Sequence, residues 1–235
     1  MTSLRKINLL VISDAHGKVE YIDLILATEN KESRIDAIIF CGDIAPYRNP
    51  YKAKELLIQL AEMAKKYEIQ KVFAVPGNID IESHYNEVES LHGVFVNLHE
   101  RSYIFQGYYL VGLGGSTITP FNSLLEYAED VIEQKLEKVL SSLPPGTKVI
   151  IVTHVPPFNT QCDKAYTGEH IGSKALRKVI EKYKPLLVPS GHVHESRCVE
   201  RVGETLVVNP GPVSRGYYAV ASVSEKGVEA VLKSM

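Results

Sequence analysis

The stretch INLLVISDAH, residues 7–16, contains the pattern that decides the fold. A short apolar run ends in two polar residues, Asp14 and His16, and a segment of helical periodicity follows at residues 19–30. Continuous apolar runs are typical of strands that are covered on both faces. Strands of this kind that alternate with helices indicate a layered α/β domain.

The same pattern recurs along the chain. Further apolar runs occupy residues 37–41, 72–75, 149–153, 186–189 and 206–209, and helical patterns lie near residues 52–67, 124–140 and 173–183. Three regions instead suggest antiparallel pairs, because a short turn sequence separates two strand-like runs: residues 105–113, 198–209 and 217–232. We therefore expect two mixed sheets packed face to face with helices outside. No linker or repeat divides the chain, which predicts a single domain over residues 1–235.

The composition limits the kinds of partner that the protein is expected to bind. The 235 residues are 45% hydrophobic and 23% charged, with a formal net charge of −2. This balance is ordinary for a globular protein and gives no overall basic surface for bulk nucleic acid or an anionic membrane. No apolar run approaches the length of about 18 residues that a membrane helix needs. The apolar run near the start is short and has no cleavage pattern, so we expect no signal peptide.

The cysteines suggest a location. Cys41, Cys162 and Cys198 form an odd, sparse set without a CxxC motif, so we expect no disulfide framework. Unpaired cysteines are typical of the reducing cytoplasm, and a cytoplasmic protein is the prediction. Cys41 lies next to Gly42 and Asp43, but a small buried residue at a strand end explains it better than a metal ligand does.

Polar residues follow five of the strand-like runs. In open α/β sheets, ligand sites form outside the carboxyl ends of the strands, so residues at these positions are expected to meet at one edge. Two of these residues, Asp14 and His192, are followed two positions later by a second polar residue, His16 and His194. A turn can direct this second residue toward a neighbouring metal ion. The candidate metal ligands are therefore Asp14, His16, Asp43, Asn78, His154, His192 and His194.

The donor chemistry favours two transition-metal ions. A mixture of carboxylate, amide oxygen and imidazole suits manganese, iron, zinc, cobalt or nickel better than calcium. Seven donors are too many for one tetrahedral ion. Two ions about 3.5–4 Å apart need a bridging anion, and Asp43 is the natural candidate. Each motif alone is weak, since an Asp after a strand commonly caps the next helix; the ordered set is the signal.

The ordered motifs resemble those of the calcineurin-like metallophosphoesterases, whose pattern is D-x-H, G-D, G-N-x-D/E, H and G-H-x-H. This sequence has DAH at 14–16, GD at 42–43, GNID at 77–80, THVPP at 153–157 and GHVH at 191–194. The resemblance extends from about residue 7 to residue 212. In finer detail the chain is similar to the small prokaryotic Icc-related predicted phosphoesterases, through HIGSKALRKVI at 170–180, GHVHES at 191–196 and VVNPGP at 207–212.

This resemblance implies a four-layer α/β/β/α sandwich and a dinuclear centre bridged by Asp43. One ion would be held by Asp14, His16 and His194, and the other by Asn78, His154 and His192. The implied reaction is hydrolysis of a phosphate ester by in-line attack of a hydroxide that bridges the ions. Manganese is the favoured metal, with iron, zinc, nickel, cobalt or magnesium as alternatives.

The sequence departs from the family at one position. Many members have a histidine after the Gly-Asn, where this chain has Ile79, which cannot donate a proton to a leaving group. We therefore expect a phosphodiester, or an activated phosphomonoester, as substrate. Asp80 keeps the family pattern and is predicted to orient a metal ligand, a histidine in particular.

A second histidine could serve the substrate. We predict that His170, together with the N-terminus of the helix that Ser173 caps, faces the substrate phosphate, since helix N-termini attract anions. The alternative is a surface loop histidine. Arg215, in the VSRG turn, either reaches the phosphate or is solvated. The predicted catalytic residues are then Asp43, Asn78, Asp80, His154 and His170.

Two other classes of function stay open at this point. The chain could be a catalytically weak metal-binding scaffold of the same fold that acts through protein partners. A nuclease acting on large nucleic acid is disfavoured by the near-neutral charge. The expected partner is a small phosphate-ester or nucleotide-type substrate, with no bulk nucleic acid and no membrane, and a homo-oligomer is left open.

Overall fold

The structure is a computed structural model that describes residues 5–32 and 34–235. Residues 1–4, where the segment considered for a signal peptide begins, and residue 33 lie outside the described part. Within that part, no helix combines the length and apolar character that crossing a membrane requires.

Fourteen strands and five α-helices make up the described fold. The strands are β1 (Ile7–Ile12), β2 (Ala37–Phe40), β3 (Lys71–Ala74), β4 (Phe95–Asn97), β5 (Arg101–Phe105), β6 (Tyr108–Leu113), β7 (Ser116–Thr117), β8 (Glu126–Tyr127), β9 (Val149–Thr153), β10 (Leu187–Pro189), β11 (Cys198–Val202), β12 (Thr205–Asn209), β13 (Tyr217–Ser224) and β14 (Gly227–Ser234). The helices are α1 (Glu20–Glu32), α2 (Ala53–Lys66), α3 (Glu82–Leu91), α4 (Glu129–Leu140) and α5 (Lys174–Tyr183). Short 3-10 turns lie at Pro50–Lys52, Gln161–Asp163 and Val213–Arg215.

Two six-stranded mixed sheets form the centre. The first sheet has the order β14-β13-β1-β2-β3-β4, in which β1 to β4 are parallel and β13 runs antiparallel to β1. The second sheet has the order β11-β12-β10-β9-β6-β5, in which β12, β10, β9 and β6 are parallel and the two edge strands are antiparallel. The predicted pair of mixed sheets is confirmed.

The layers follow from alternation along each strand. On β1, Leu9 and Val11 face the second sheet, whereas Leu10 and Ile12 pack beneath the helices. Both faces of the strand are therefore covered, which explains its unbroken apolar run. Helices α1, α2 and α3 cover the first sheet, and α4 and α5 cover the second. The result is the four-layer α/β/β/α sandwich that the resemblance implied.

Two local expectations need adjustment. The helix predicted near residues 124–140 begins only at Glu129, because residues 126–127 pair with residues 116–117 as a small parallel sheet. The run at residues 105–113 belongs to a hairpin whose turn residues, Gln106 and Gly107, both have positive φ. A two-residue turn of this kind matches the twist of antiparallel strands.

The expectation that the cysteines form no disulfide is wrong. Cys162 and Cys198 are bonded, with Cα atoms 5.1 Å apart, and Cys41 is free and buried. The two partners are separated by 36 residues. They meet only because the 3-10 turn Gln161–Asp163 lies against β11, so their spacing along the chain carried no sign of the pairing.

Candidate metal centre

The carboxyl ends of the central strands bring the predicted ligands to one edge, which we call the carboxyl edge. Asp14, Asp43 and Asn78 follow β1, β2 and β3 of the first sheet. His154 and His192 follow β9 and β10 of the second. The backbone N–H of His192 donates to the Asp14 carboxylate at 3.1 Å, which joins the two sheets at this edge.

The ligand turns have an unusual backbone. Asp14, His16, Asp43 and His192 all have φ between 44° and 67°, in the left-handed region that non-glycine residues seldom occupy. Hydrogen bonds between turns hold this geometry: the N–H of Asp14 donates to the carbonyl of Gly42 at 2.9 Å, and the N–H of His16 donates to the carbonyl of Asp43 at 3.1 Å. Each turn is therefore fixed by its neighbour and directs its side chain off the strand.

The glycines before two ligands permit a close approach of backbones. A Cβ atom on Gly42 would collide with the backbone of Gly77, and a Cβ atom on Gly77 would collide with Asp43. Only glycine fits at either position. The turns that carry Asp43 and Asn78 can thus lie in direct contact.

One group of ligands is Asp14, His16 and His194, whose ligand atoms all lie within 4.8 Å of one another. His194 Nε2 is 3.0 Å from Asp14 Oδ1 and 3.2 Å from His16 Nε2. His16 Nε2 is 3.7 Å from the same carboxylate oxygen. These are the three residues that the resemblance assigned to the first ion.

The second group forms around the amide oxygen of Asn78. His154 Nε2 lies 2.9 Å from Asn78 Oδ1, and His192 Nδ1 lies 3.1 Å from it. The two imidazole nitrogens are 3.2 Å apart. His154 Nε2 is also 3.5 Å from Asp43 Oδ2, and Asp14, Asp43 and His154 form a further compact set of ligand atoms. Asp43 and Asp14 thus lie between the two groups.

The electrostatics of this centre suit cations. Burial, with help from the neighbouring His154 charge, lowers the pKa of His192 to about 3. Burial likewise lowers the pKa of His154. Both imidazoles are therefore neutral at pH 7 and present lone pairs. Burial raises the pKa of Asp43 well above its usual range, and the nearby carboxylates of Asp80 and Asp14 raise it further. Neutral nitrogens in contact and crowded carboxylates are what divalent cations would stabilise, so these residues fit two such ions.

Asp80 supports the turns and not a histidine. Its carboxylate accepts hydrogen bonds from the backbone N–H groups of Gly77 at 2.9 Å, Asp43 at 2.8 Å and Ile44 at 3.2 Å, and from the Tyr85 hydroxyl at 2.6 Å. Asp80 thus supports the backbone of Asp43, a predicted metal ligand, and only the part of the prediction that named a histidine is wrong. At the left-handed turn of Asp43, several backbone N–H groups point inward and donate to the Asp80 carboxylate.

Asn209 supports the turn that carries His192 on the second sheet, a role that sequence reasoning missed. Its side-chain amide donates to the carbonyls of Val193 at 2.9 Å, Cys162 at 3.2 Å and Gly191 at 3.4 Å. Two of these carbonyls belong to the turn that carries His192. The only signal in the sequence was the VVNPGP motif, which contains Asn209 but does not indicate which groups it binds.

The predicted phosphate site at the N-terminus of α5 is wrong. The carboxylate of Glu129 accepts the N–H groups of Lys174 at 2.8 Å and Ala175 at 2.9 Å, and the Ser173 hydroxyl accepts that of Leu176 at 3.1 Å. Ser173 is the N-cap, as predicted, but Glu129 already fills the place of an anion. No sequence spacing links Glu129 to this helix.

His170 contacts neighbours within its own loop. Its Nδ1 donates to the buried carboxylate of Asp163 at 2.7 Å, and its ring meets the ring of Phe158 edge-on. Within the described residues, no metal ligand is among its hydrogen-bond partners. A role of His170 toward the substrate therefore stays a prediction without support from the α5 terminus.

Two residues beside the centre were not placed there by the sequence. The ring of Tyr47 stacks on His16, with centroids 4.0 Å apart and planes inclined by 17°. Partial burial and the charges of Asp14 and Asp43 raise the pKa of its phenol to about 12. Arg215 follows Ser214, whose hydroxyl donates to the carbonyl of Asp14 at 2.9 Å.

Arg215 is exposed, and its positive charge lies within electrostatic reach of Tyr47 and His194. No carboxylate forms an ion pair with Arg215 within residues 5–32 and 34–235. A cation held at the centre without a partner is suited to an anionic ligand. The two alternatives for Arg215, contact with a bound phosphate and solvation, both stay predictions.

Comparison with known proteins agrees with this geometry. Residues 1–231 match the family model described as metallophosphoesterase, calcineurin superfamily, and the chain belongs to that family. An uncharacterized protein from Methanocaldococcus jannaschii is 35% identical over 211 residues, which cover 88% of this chain and 89% of the relative.

Solved structures share the fold at low identity. The structure of the protein TT1561 of Thermus thermophilus matches with a TM-score of 0.73 and 20% identity, over 97% of this chain and 99% of that one. The phosphopantetheinyl hydrolase of Mycobacterium tuberculosis matches with a TM-score of 0.60 and 14% identity, over 88% and 90% of the two chains. At these identities the likeness concerns the fold alone.

Proposed function

We propose that the protein is a dinuclear-metal-dependent phosphoesterase that hydrolyses a phosphodiester or an activated phosphomonoester, with phosphodiesters favoured over unactivated phosphomonoesters. The observation that carries the proposal is the pair of ligand groups in contact at the carboxyl edge, with the carboxylates of Asp14 and Asp43 between them. Two bound divalent ions would lower the pKa of water and polarise the phosphoryl oxygens. We propose manganese as the ion, because the donor set mixes oxygen and imidazole nitrogen.

The side chains divide the work of holding the site. Asp14, His16 and His194 would hold one ion and Asn78, His154 and His192 the other, with the Asp43 carboxylate available to both. His154 Nδ1 donates to the carbonyl of Cys41 at 2.7 Å, which leaves Nε2 as the nitrogen that faces Asn78 and Asp43. A fixed tautomer of this kind orients a ligand before the metal binds.

The preference for diesters follows from what surrounds the phosphate position. Ile79 is half-buried beside Asp43, to whose carboxylate its N–H donates at 3.1 Å, and its side chain has no proton to give. Without that proton, esters with poor leaving groups should react slowly, since a general acid typically contributes about 10²–10⁴-fold. Arg215 supplies a positive charge for the phosphoryl oxygens.

The alternative is a catalytically weak scaffold of the same fold that acts through protein partners. Ile79 is the observation that favours it. The predicted cytoplasmic location rested in part on unpaired cysteines. The bond between Cys162 and Cys198 removes that support. Location and the single domain over residues 1–235 stay predictions.

One screen separates the two functions. Purified protein is stripped of metal, reloaded with manganese and tested against p-nitrophenyl phosphate and bis-p-nitrophenyl phosphate, with Asp43→Ala as the blank. We expect about two manganese per chain by elemental analysis and manganese-dependent turnover of these two activated esters, with none by the blank. Two bound ions without turnover of any ester would favour the scaffold. Failure to bind metal would remove the dinuclear site itself.

A further inference from the structure

We propose that the loop of residues 114–125, which we call the platform loop, binds an apolar ester group of the substrate. This inference rests on the proposed phosphoesterase function and names its substrate class. The preferred substrates would be phosphate esters in which one ester group is aromatic or a long alkyl chain. Three features of the loop carry the inference: its attachment to a metal ligand, its internal hydrogen bonds and the character of its exposed side chains.

The platform loop is built directly against the turn that carries Asn78. The N–H of Gly115 donates to the carbonyl of Pro76 at 2.9 Å, and the N–H of Leu125 donates to the carbonyl of Asn78 at 3.0 Å. The side-chain amide of Asn78 donates to the Ser123 hydroxyl at 2.8 Å. The same amide presents its oxygen to His154 and His192. The loop and the second ligand group therefore share a residue.

The loop is held in shape by a carboxylate at its base. Glu126 accepts the N–H of Thr119 at 3.2 Å, its hydroxyl at 2.5 Å, and the N–H of Ser123 at 2.9 Å. The polar groups of Thr119 and Ser123 are thus satisfied within the loop, and these hydrogen bonds hold its shape without a ligand.

The outward side of the loop is apolar. Ile118 is 70% exposed, Phe121 is 85% exposed and Leu124 is 60% exposed. A folded protein gains about 1.5–3 kcal/mol by burying such a side chain, so three exposed on one short loop indicate a surface that something covers.

The exposure is concentrated at the carboxyl edge. Twelve large apolar side chains are strongly exposed in the described part of the chain, and seven of them lie on loops that follow β2, β6 and β9. Besides the three on the platform loop, these are Tyr47, Tyr51, Tyr166 and Ile171. More than half of these exposed side chains thus lie on segments that follow the strands whose ends carry the ligand turns, as expected beside a small-molecule site.

Charge identifies the occupant as an uncharged ester group. Residues 114–125 read GGSTITPFNSLL and contain no acidic or basic residue. The positive charge near the centre, Arg215, is attached to the turn beside Asp14, in the other ligand group. The turn that carries Arg215 is thus attached to the first ligand group, and the platform loop is attached to the second. A leaving group with further phosphates would find no cation on the platform loop.

The test compares two anions that differ only in their apolar part. Manganese-loaded protein is titrated calorimetrically with phenylphosphonate and with methylphosphonate. We expect the wild type to bind phenylphosphonate about ten times more tightly, a difference of about 1.4 kcal/mol. Phe121→Ala should lose most of this ratio with its manganese content and its affinity for methylphosphonate unchanged. Leu91→Ala is the matched control, because Leu91 is also strongly exposed, on α3.

Several outcomes would overturn the inference. Equal affinity of the wild type for the two phosphonates would show that the loop does not bind the apolar group. Loss of manganese in Phe121→Ala would make the loop a structural part of the centre. A change of oligomeric state in Phe121→Ala, measured by light scattering, would make the loop an interface between copies. Failure of the proposed function would show separately, as absent turnover of every ester in the Asp43-controlled screen.

Discussion

The two sheets supply different chemistry to the same centre. The first sheet contributes the oxygen donors Asp14, Asp43 and Asn78, together with His16. The second contributes only imidazoles, from His154 and from the pair in GHVH. The residues that hold the ligand turns in place also differ between the two sheets. A buried carboxylate, Asp80, gathers backbone N–H groups below the first set of turns, whereas a side-chain amide, Asn209, gathers carbonyls below the second.

The difference shows how a ligand turn determines its own support. On the first sheet the turns at Asp43 and Gly77 direct backbone N–H groups inward, so the partner must be an acceptor. On the second, the turn around His192 directs carbonyls inward, so the partner must be a donor. Hydrogen bonds to a charged acceptor are about twice as strong as neutral ones. The second side has a covalent addition, the bond between Cys162 and Cys198.

The largest effect is expected from Asp80→Ala. The variant leaves the backbone N–H groups of Gly77, Asp43 and Ile44 and the Tyr85 hydroxyl buried without their acceptor. Loss of one partner of a buried charged network costs about 3–5 kcal/mol. Urea denaturation of the metal-free protein measures the free energy of unfolding, and Asp80→Asn, which keeps the shape, should lie between. A loss below about 1 kcal/mol would contradict the role given to the carboxylate.

Reduction of the disulfide comes next. Breaking the bond between Cys162 and Cys198 should lower the free energy of unfolding by about 2–4 kcal/mol, because the reduced chain has more freedom when unfolded. Thermal unfolding with and without dithiothreitol measures the effect. The double variant Cys162→Ala/Cys198→Ala is the control and should not respond to the reductant. An equal shift of both proteins would assign the effect to the reductant itself.

Asn209→Ala should have a smaller effect on stability than Asp80→Ala. The carbonyls of Gly191, Val193 and Cys162 lose a neutral donor, which costs about 1–3 kcal/mol. Because the turn that carries His192 is less well held, metal affinity should fall about 10–100-fold. Competition with a fluorescent chelator measures it, against Asn8→Ala, which lies outside the centre. Equal losses of stability in Asp80→Ala and Asn209→Ala would show that charge does not distinguish the two supports.

The smallest effect is expected at His99, where the chain passes from the first sheet to the second. It is a dependence of the free energy of unfolding on pH. Burial lowers the pKa of His99, against the opposing charges of Glu82 and Glu100. Its Nδ1 accepts the N–H of Gly114 at 2.9 Å, so the folded state favours the neutral ring. The unfolded chain takes up this proton near its usual pKa of about 6.5. Stability from His99 is thus present above that pH and falls as the pH drops below it.

The measurement for His99 is the free energy of unfolding at pH 7.5 and at pH 5.5, in the wild type and in His99→Gln. The loss on acidification should be smaller in the variant, since it removes the histidine and keeps the carboxylates. An identical pH dependence of the two proteins would show that His99 is not the group that takes up the proton.

The sequence predicted most of the architecture because its strands are buried on both faces. Unbroken apolar runs that end in polar residues fixed the strand ends, and the parallel order of strands then placed those ends together. The candidate ligands Asp14, Asp43 and His154 could be located in this way from local pattern alone. The same reasoning reached Ser173 as the cap of α5.

What the sequence could not predict depends on partners distant along the chain. Glu129 fills the N-terminus of α5 from 44 residues away, and Cys162 meets Cys198 across 36 residues. Asp80 was expected to bind a histidine, but the inward amides around Asp43 take its oxygens. A local pattern shows which residue is polar and where its strand ends. It does not show which polar group will be nearest after folding.

The sequence by itself therefore determined the layered fold, the seven candidate ligands and the donor chemistry that favours two divalent ions, because these depend on residue type and on strand order. Only the tertiary structure decided how the ligands are supported, where Tyr47 and Arg215 lie, and that the platform loop is attached to Asn78. These depend on contacts between segments that no periodicity connects. The physical reason is that hydrogen-bond partners of buried groups are chosen by proximity in the folded chain.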